Sequence, residues 1–444
     1  MEKILQFLDK NKKDKKISVA VMGDAMIDEY YEAKVKRISP EYPIPIIHMT
    51  DNNPVLRPGG AANVVYQFKR FNAQVDLYSL TSENVKLPKK KRYFQDNVQL
   101  ARIDVEQENY GLDEERLKNH TQKLQQQMVS RPYDAAIFSD YGKGIFKFFN
   151  NDCLNKFPIT IVDPKNGDIS RWKGCTVFKP NQEEALKLSG KSNVRDAGIY
   201  LSEYLGASVV ITEASKGVSV FEYRSVYEIR PDVSPAVAES VIGAGDCFVA
   251  FLTMALCHNF SLKDAAEIAF KAGTLYVLNK RNKPLYPHNL RVSVDSANGK
   301  LLDHDDLEFL FDRCYKLVFT NGCFDLMHRG HIESLRFAKQ QGDKLIVAIN
   351  SDESVRKLKP NRPIMSLDDR IAMLTAIEYV DYVVVFDDDT PLELIKKIRP
   401  DVVVKGADYK KQDIVGYGIV PEIKRCPLVE GISTTKIIDK IKST

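Results

Sequence analysis

Cysteine is sparse and unpatterned in this chain of 444 residues: seven, at 153, 175, 247, 257, 314, 323 and 426, with no C-x-x-C spacing. That argues against a disulfide framework or a cysteine zinc site and predicts a reducing compartment. Long apolar runs are missing too, and none approaches the roughly 18 residues that would span a bilayer. The opening MEKILQFLDKNKKDKK alternates charge with apolar residues like a short amphipathic helix, without the apolar stretch of a secretory leader. A cytoplasmic location with no membrane attachment is the expectation. A large charge of one sign is also absent. The net charge of +4 is too small to imply a nucleic-acid partner. Lysine-dense runs at 12–16 and 89–92 read as solvated faces, with phosphorylated ligands as the alternative.

What the chain has is rhythm. At this length two domains are expected, because one hydrophobic core seldom grows so large. Short β-branched runs alternate with helix-period segments, which predicts an α/β fold with mainly parallel sheets. Strands are expected at ISVAVMG (17–23), AAIFSD (135–140), ITIVD (159–163) and SVVIT (208–212), and a buried helix at CFVAFLTMALC (247–257). Regularity fades after residue 285 and restarts at Lys316. From there KLVFTNG, KLIVAINSD, YVVVF and DVVVKG alternate with three helical segments, enough for one doubly wound nucleotide-binding domain. The expected division is 1–288, a linker at 289–315 with DHDDLEFLFDRC as a connecting helix, and 316–444.

The most informative stretch is TNGCFDLMHRGH, residues 320–331. A buried strand ends in a glycine, a loop follows, and His328 and His331 sit three apart where a helix begins. Two of seven histidines fall inside four residues. A helix N-terminus attracts phosphate through its free N–H groups and its dipole. Imidazoles there can donate to phosphate oxygens as pyrophosphate leaves. A bare H-x-G-H also fits a pair of capping histidines; Lys359 and Arg362 in KLKPNRPI, the run VVVKGADY and GISTTK (431–436) make the set more specific.

These segments resemble the HxGH cytidylyltransferase-like superfamily, and within it the adenylyltransferase half of the bifunctional ADP-heptose synthase family, across essentially all of 316–444. The resemblance implies that His328 and His331 meet the β- and γ-phosphates of ATP, while Thr320, Asn321, Gly322, Cys323 and Phe324 line the nucleotide. It implies that Lys359 neutralises the reacting phosphates, with Arg362 nearby, and that Ser433, Thr434 and Thr435 meet the triphosphate. A sugar 1-phosphate oxygen would attack the α-phosphorus with Mg²⁺ sharing the charge. Pro360 stands where the family usually has glycine.

In the first half, RPGGAAN (57–63) joins a glycine pair to an amide, suiting a loop that closes over a polar ligand. Gly243, Ala244, Gly245 and Asp246 precede the apolar helix, so their amides can hold a transferring phosphoryl group while the carboxylate takes a hydroxyl proton. Asn181, Gln182, Glu183 and Glu184 read either as a capped helix start or as an acidic cluster near nucleotide-bound Mg²⁺.

With GDAMIDEYY, FSDYGKG and VDPK, these motifs resemble the ribokinase-like (PfkB) sugar kinases and, more narrowly, the heptose-7-phosphate kinase half of the same bifunctional family. That implies Asp246 as catalytic base and Asn181 to Glu184 at the ATP site. Asp28, Gly59, Gly60 and Asn63 would line the sugar; a homodimer through this domain is expected separately, from the sheet edge that a missing helix and strand after Leu80 would uncover. The implied partners are ATP and heptose phosphates, with Mg²⁺ entering on ATP. Departures accompany the likeness. Ser240 and Ile242 replace an aspartate and a threonine of the family's DTTGAGD-type motif, and a helix and strand are missing after Leu80. They leave open a second reading in which only the transferase is active, on a sugar or polyol phosphate with ATP or CTP, and the first half is a silent dimerisation or ligand-sensing module.

Overall fold

A computed structural model of the protein describes residues 2–81, 85–96, 98–165, 167–223, 225–231, 242–278, 283–294, 298–304, 307, 310, 313, 315–359, 361–427, 437–438 and 443. The chain forms two compact units that part between Leu285 and Tyr286.

The first unit is built on an eight-stranded sheet. In spatial order its strands are Ser225–Ile229, Val218–Glu222, Ser208–Thr212, Val177–Phe178, Thr160–Asp163, Ala135–Ser139, Ile17–Gly23 and Ala73–Tyr78. The first three pair antiparallel in succession; every other neighbour is parallel. The four strands expected from sequence are all present. Parallel strands covered on both faces must be apolar throughout, and Ala135–Ser139 is buried at all five positions. The Ala244–Cys257 helix buries ten of its residues, from Asp246 through Ala255. Burying each large apolar side chain contributes about 1.5–3 kcal/mol, so this helix is a principal anchor of the unit. Ala73–Tyr78 is one edge strand and Ser225–Ile229 the other.

A second sheet of five strands belongs to the same unit. The long strand Ala25–Ile38 pairs with Pro45–Met49, with Val55–Gly60 and with Lys89–Gln95, which in turn pairs with Val98–Val105. Its side chains divide by alternation between one face turned to a cavity and one carrying exposed apolar residues such as Leu56, Ile103 and Val105.

The second unit carries a six-stranded, wholly parallel sheet: Leu301–Leu302, Tyr382–Phe386, Lys344–Asn350, Leu317–Gly322, Val402–Gly406 and Glu422–Cys426. The segment read as a linker is part of this unit. Residues 301–302 form its edge strand, and Leu307 and Leu310 are fully buried in its core. Much of the expected connecting helix at 303–314 lies outside the described residues. Among the described residues no helix is long and apolar enough to cross a membrane.

Candidate active sites in the two units

In the first sheet the chain direction of the connections reverses around Ile17–Gly23. In such folds polar ligands gather beyond the carboxyl ends of the strands at that point. Here those ends are acidic and basic. Asp24 follows Ile17–Gly23, Asp140 and Tyr141 follow Ala135–Ser139, Asp163 ends its strand and Lys179 follows Val177–Phe178.

Asp246 sits in the first turn of the Ala244–Cys257 helix and is 5% exposed. Its Oδ2 accepts from Asn63 Nδ2 at 2.6 Å, and its Oδ1 accepts from the Tyr141 hydroxyl. Burial pushes its carboxyl up to about 6, against the lowering effect of those two donors. Nearby Asp163 pushes the same way, and Lys179 opposes. Lys179 is itself buried and paired with Asp163 at 2.7 Å. A carboxyl that ionises near neutrality fits a general base.

The turn before this helix requires glycine at 243. Its φ is 76°, and a Cβ there would lie 2.9 Å from both Asn63 Nδ2 and the Tyr276 hydroxyl. Ala244 and Gly245 open the helix beside it. Gly60 is similarly forced: φ is 59°, and a Cβ would come within 2.2 Å of the Asp24 carbonyl.

Asp28, Gly60, Asn63, Gly243 and Asp246 converge on one cavity of about 100 Å³, and Gly59 packs beside Asp28. Burial pushes the Asp28 carboxyl up, opposed first by Arg92, whose Nη2 lies 3.3 Å away. Tyr141, Lys90, Arg92 and Arg57 also line the cavity; the sequence reading had named Lys90 and Arg92 only within the lysine-dense run at 89–92. The 89–92 run is therefore not simply a solvated face: alternate residues Lys90 and Arg92 turn inward.

Asn181 and Glu184 form a capping box at the start of the Gln182–Ser189 helix, with Asn181 accepting from Glu184 N at 2.8 Å. The plainer reading of that motif thus describes its hydrogen bonds. Glu184 also accepts from Lys165 at 2.8 Å, and its charge acts on both Asp163 and Lys179. Gln182 is half-buried and Glu183 exposed in the same first turn. Ser240 lies outside the described residues; Ile242 lines the cavity.

In the second unit the strand order turns around Leu317–Gly322, and the loop after it leads into the Arg329–Lys339 helix. His328 is the N-cap: its Nδ1 accepts from Gly330 N at 3.1 Å, while His331 Nδ1 accepts from His328 N at 3.3 Å. The rings stack with centroids 4.0 Å apart. Because each Nδ1 accepts from a backbone N–H, each neutral ring carries its proton on Nε2. Burial lowers both, His331 to about 4, with His328 and Lys359 adding to the shift. The pair caps the helix and also presents two neutral N–H donors. The capping reading of the motif thus describes its hydrogen bonds, and it leaves both Nε2–H groups for a ligand.

Thr320 is buried and donates to the Val404 carbonyl at 3.0 Å, tying two adjacent strands. The Asn321 carbonyl accepts from Lys405 Nζ at 2.9 Å. Gly322 lies against the Phe324 ring, and that ring sits 5.5 Å from His331. The Cys323 carbonyl accepts from the fully buried Arg370 at 2.7 Å.

Lys359 is exposed at the end of the Asp352–Leu358 helix, close enough to act on His331. Arg362 is engaged by Asp325 at 2.6 Å, which also accepts from Ile364 N and Met365 N. Arg362 thereby fixes the loop instead of offering an unpaired charge. Lys405, from the VVVKGADY run, is the cation that sequence reasoning did not single out. Burial lowers it to about 8. Ser433, Thr434 and Thr435 lie outside the described residues.

Residues 140–287 match the pfkB family of carbohydrate kinases, and residues 319–443 match the cytidylyltransferase-like family. The chain is 35% identical to the bifunctional protein HldE of a Nitratiruptor species, over 96% of this chain and 99% of that protein. It is 33% identical to bifunctional protein HldE of Helicobacter pylori, with the same coverage of 96% and 99%. Among solved structures, phosphofructokinase-2 from Escherichia coli in complex with potassium shares the fold of the first unit. It superposes with a TM-score of 0.50 at 16% identity, covering 62% of this chain and 97% of that one. With a kinase module followed by a nucleotidyltransferase module, and a match running nearly end to end, the chain belongs to the family of bifunctional protein HldE.

Proposed function

We propose that residues 1–288 phosphorylate O1 of heptose 7-phosphate with Mg-ATP, and that residues 316–444 transfer AMP from ATP to heptose 1-phosphate, giving ADP-heptose and pyrophosphate. A separate phosphatase would remove the 7-phosphate between the two steps. The observation that carries the kinase reading is Asp246, a buried carboxyl at a helix N-terminus, pushed up to about 6 and facing a polar cavity.

In this reading Asp246 takes the O1 proton as that oxygen attacks the γ-phosphorus, and ADP departs. The amides of Gly243, Ala244 and Gly245 hold the transferred phosphoryl group. Asp28, Gly59, Gly60 and Asn63 line the sugar; Asn181, Gln182, Glu183 and Glu184 border the nucleotide. Mg²⁺ enters on ATP, which leaves the protein to supply at most one or two carboxylates.

In the second unit a heptose 1-phosphate oxygen attacks the α-phosphorus of ATP and the bond to pyrophosphate breaks. The Nε2–H groups of His328 and His331 donate to the β- and γ-phosphates, and Lys359 and Lys405 offset their charge. Thr320 to Phe324 shape the nucleotide wall; Ser433, Thr434 and Thr435 are assigned to the triphosphate by family likeness. A cytoplasmic location fits the ATP requirement and the six described cysteines, all free. The exposed apolar face of the five-stranded sheet supports a homodimer through the kinase unit.

The test is mass spectrometry of products from the full-length protein. Heptose 7-phosphate with Mg-ATP should yield the 1,7-bisphosphate, and heptose 1-phosphate should yield ADP-heptose with ATP but little product with CTP. No bisphosphate would refute the kinase assignment; preference for CTP would refute the adenylyl assignment.

A further inference from the structure

The Leu262–Leu278 helix packs along the Ala244–Cys257 helix and brings Tyr276 to the wall of the cavity that contains Asp246. Tyr276 is fully buried. Its hydroxyl end lies against the left-handed turn at Gly243, where a Cβ would stand 2.9 Å from the phenol oxygen and 3.0 Å from Cε1. Among the described residues that oxygen has no hydrogen-bond partner. Asn63 Nδ2 lies on the same side of Gly243 and already donates to Asp246. Being a donor, it can face the phenol oxygen but cannot receive the phenol hydrogen. Asp246 is close enough for its charge to act on the phenol, yet one of its oxygens is bonded to Asn63 and the other to Tyr141.

A buried tyrosine hydroxyl ordinarily finds a partner, because leaving it unpaired costs free energy that phenylalanine would avoid. Burial, and after it the charge of Asp246, holds this phenol above the usual tyrosine range. Its oxygen therefore keeps its hydrogen at any working pH. The other groups at this corner are also donors: Asn63 Nδ2 and the N–H groups that open the Ala244–Cys257 helix. Such a corner suits a ligand atom that accepts and does not donate. Of the groups that the proposed reaction brings here, phosphoryl oxygens meet that condition, whereas a sugar hydroxyl carries a hydrogen of its own.

We propose that Tyr276 is a further catalytic residue of the kinase, donating its hydroxyl to an oxygen of the phosphoryl group being transferred. It completes from a second helix the cradle that the amides of Gly243, Ala244 and Gly245 begin. In that step the bond from O1 to the γ-phosphorus forms and the bond from that phosphorus to the bridging oxygen of ADP breaks. The O1 proton passes to Asp246, ADP leaves with the electron pair, and the phenol keeps its proton. A donor fixed in place before the reaction acts mainly on the transition state. This role rests on the kinase reading of the cavity.

The experiment compares full-length wild type with Tyr276→Phe, which removes one oxygen atom. Kinase kcat should fall by about 10- to 100-fold, the worth of a hydrogen bond to a charged group. Affinity for heptose 7-phosphate, read by calorimetry, should change by less than about twofold, because the lost contact belongs to the transition state. Binding of ADP with Mg²⁺ and fluoroaluminate, a mimic of the phosphoryl group in transfer, should weaken by a factor like that in kcat. The acid limb of the pH–rate profile should stay in place, and the thermal midpoint of the ligand-free protein should not fall. An unchanged kcat would overturn the assignment, and so would a matching loss of sugar affinity, which would place the hydroxyl on the sugar. A displaced acid limb or a lower midpoint would show that Tyr276 acts through Asn63 and Asp246 or through packing. A wild type that transfers no phosphoryl group would refute the kinase reading and this role with it, whereas an active wild type equalled by Tyr276→Phe would refute the role alone.

Discussion

Tyr141 donates its phenolic hydroxyl to the Asp246 carboxylate, so the proposed base already holds one hydroxyl donor. The loop carrying Tyr141 is fixed from beneath. The buried Asp24 accepts from the Tyr141 N–H at 2.9 Å and the Lys143 N–H at 3.1 Å, and from the Tyr110 hydroxyl. The incoming substrate must displace or share that hydrogen bond.

The acid limb of the kinase reaction follows from this contact. With Asp246 ionising at about 6, kcat/KM should fall as pH drops below that value. The Tyr141 hydrogen bond favours the charged carboxylate, so Tyr141→Phe should move the limb to higher pH while transfer at pH 8 persists. A pH–rate series on both proteins checks this. A limb that stays in place would mean that the hydroxyl does not govern the carboxylate.

Stability should carry the same signature. Asp246 is raised in the folded state relative to the roughly 3.9 of an unfolded carboxyl. Its contribution is therefore fully present below about pH 4 and lost as pH rises through about 6. Asp246→Asn removes the ionisation. It should stabilise the kinase unit at pH 7.5 by up to about 3 kcal/mol relative to wild type, with little difference at pH 4. Thermal unfolding at both pH values checks the sign; a variant less stable at pH 7.5 than at pH 4 relative to wild type would contradict it.

Much of this architecture could be read from sequence because its signals are local. The strands at 17–23, 135–139 and 208–212 are continuous apolar runs, and the two histidines announce a helix start within four residues. Which side chains of the 89–92 run face the cavity could not be read that way. Lys90 faces inward only because Lys89–Gln95 pairs with Ala25–Ile38 in one register, and a slip of one residue would send Lys89 and Lys91 inside instead. Leu301–Leu302 is too short to show a period, so its segment looked like a linker. Lys405 stood in a recognised motif, but its contact with the Asn321 carbonyl depends on the pairing of two strands distant in sequence.

The histidine pair should work as neutral donors. Since burial holds His331 near 4, its charge should not change between pH 6 and 8, and burial favours the neutral form of His328 as well. An adenylyl transfer rate that fell across this range with a midpoint near 6.5, and kept that midpoint in Lys405→Arg, would show that a protonated imidazole is required.

Lys405 supplies the opposite limb. Burial lowers it to about 8, so it is charged at pH 7 and loses its proton above that value. Adenylyl transfer should decline above about pH 8. Lys405→Arg, with a cation that stays charged, should move the decline to higher pH. Lys405→Met should lower transfer at pH 7 by about tenfold or more, the worth of one charged hydrogen bond. Steady-state rates from pH 7 to 9.5 distinguish these outcomes.

The most direct test of two independent chemistries in one chain is a crossed comparison on the full-length protein. Both reactions are measured in wild type, in Asp246→Asn and in the His328→Ala, His331→Ala double variant. Asp246→Asn should lose about 10²–10⁴ in kinase turnover and nothing in adenylyl transfer. The double variant should lose at least about 10²–10³ in adenylyl transfer and keep its kinase rate. A wild type without kinase turnover, or either variant losing both reactions together, would contradict the account.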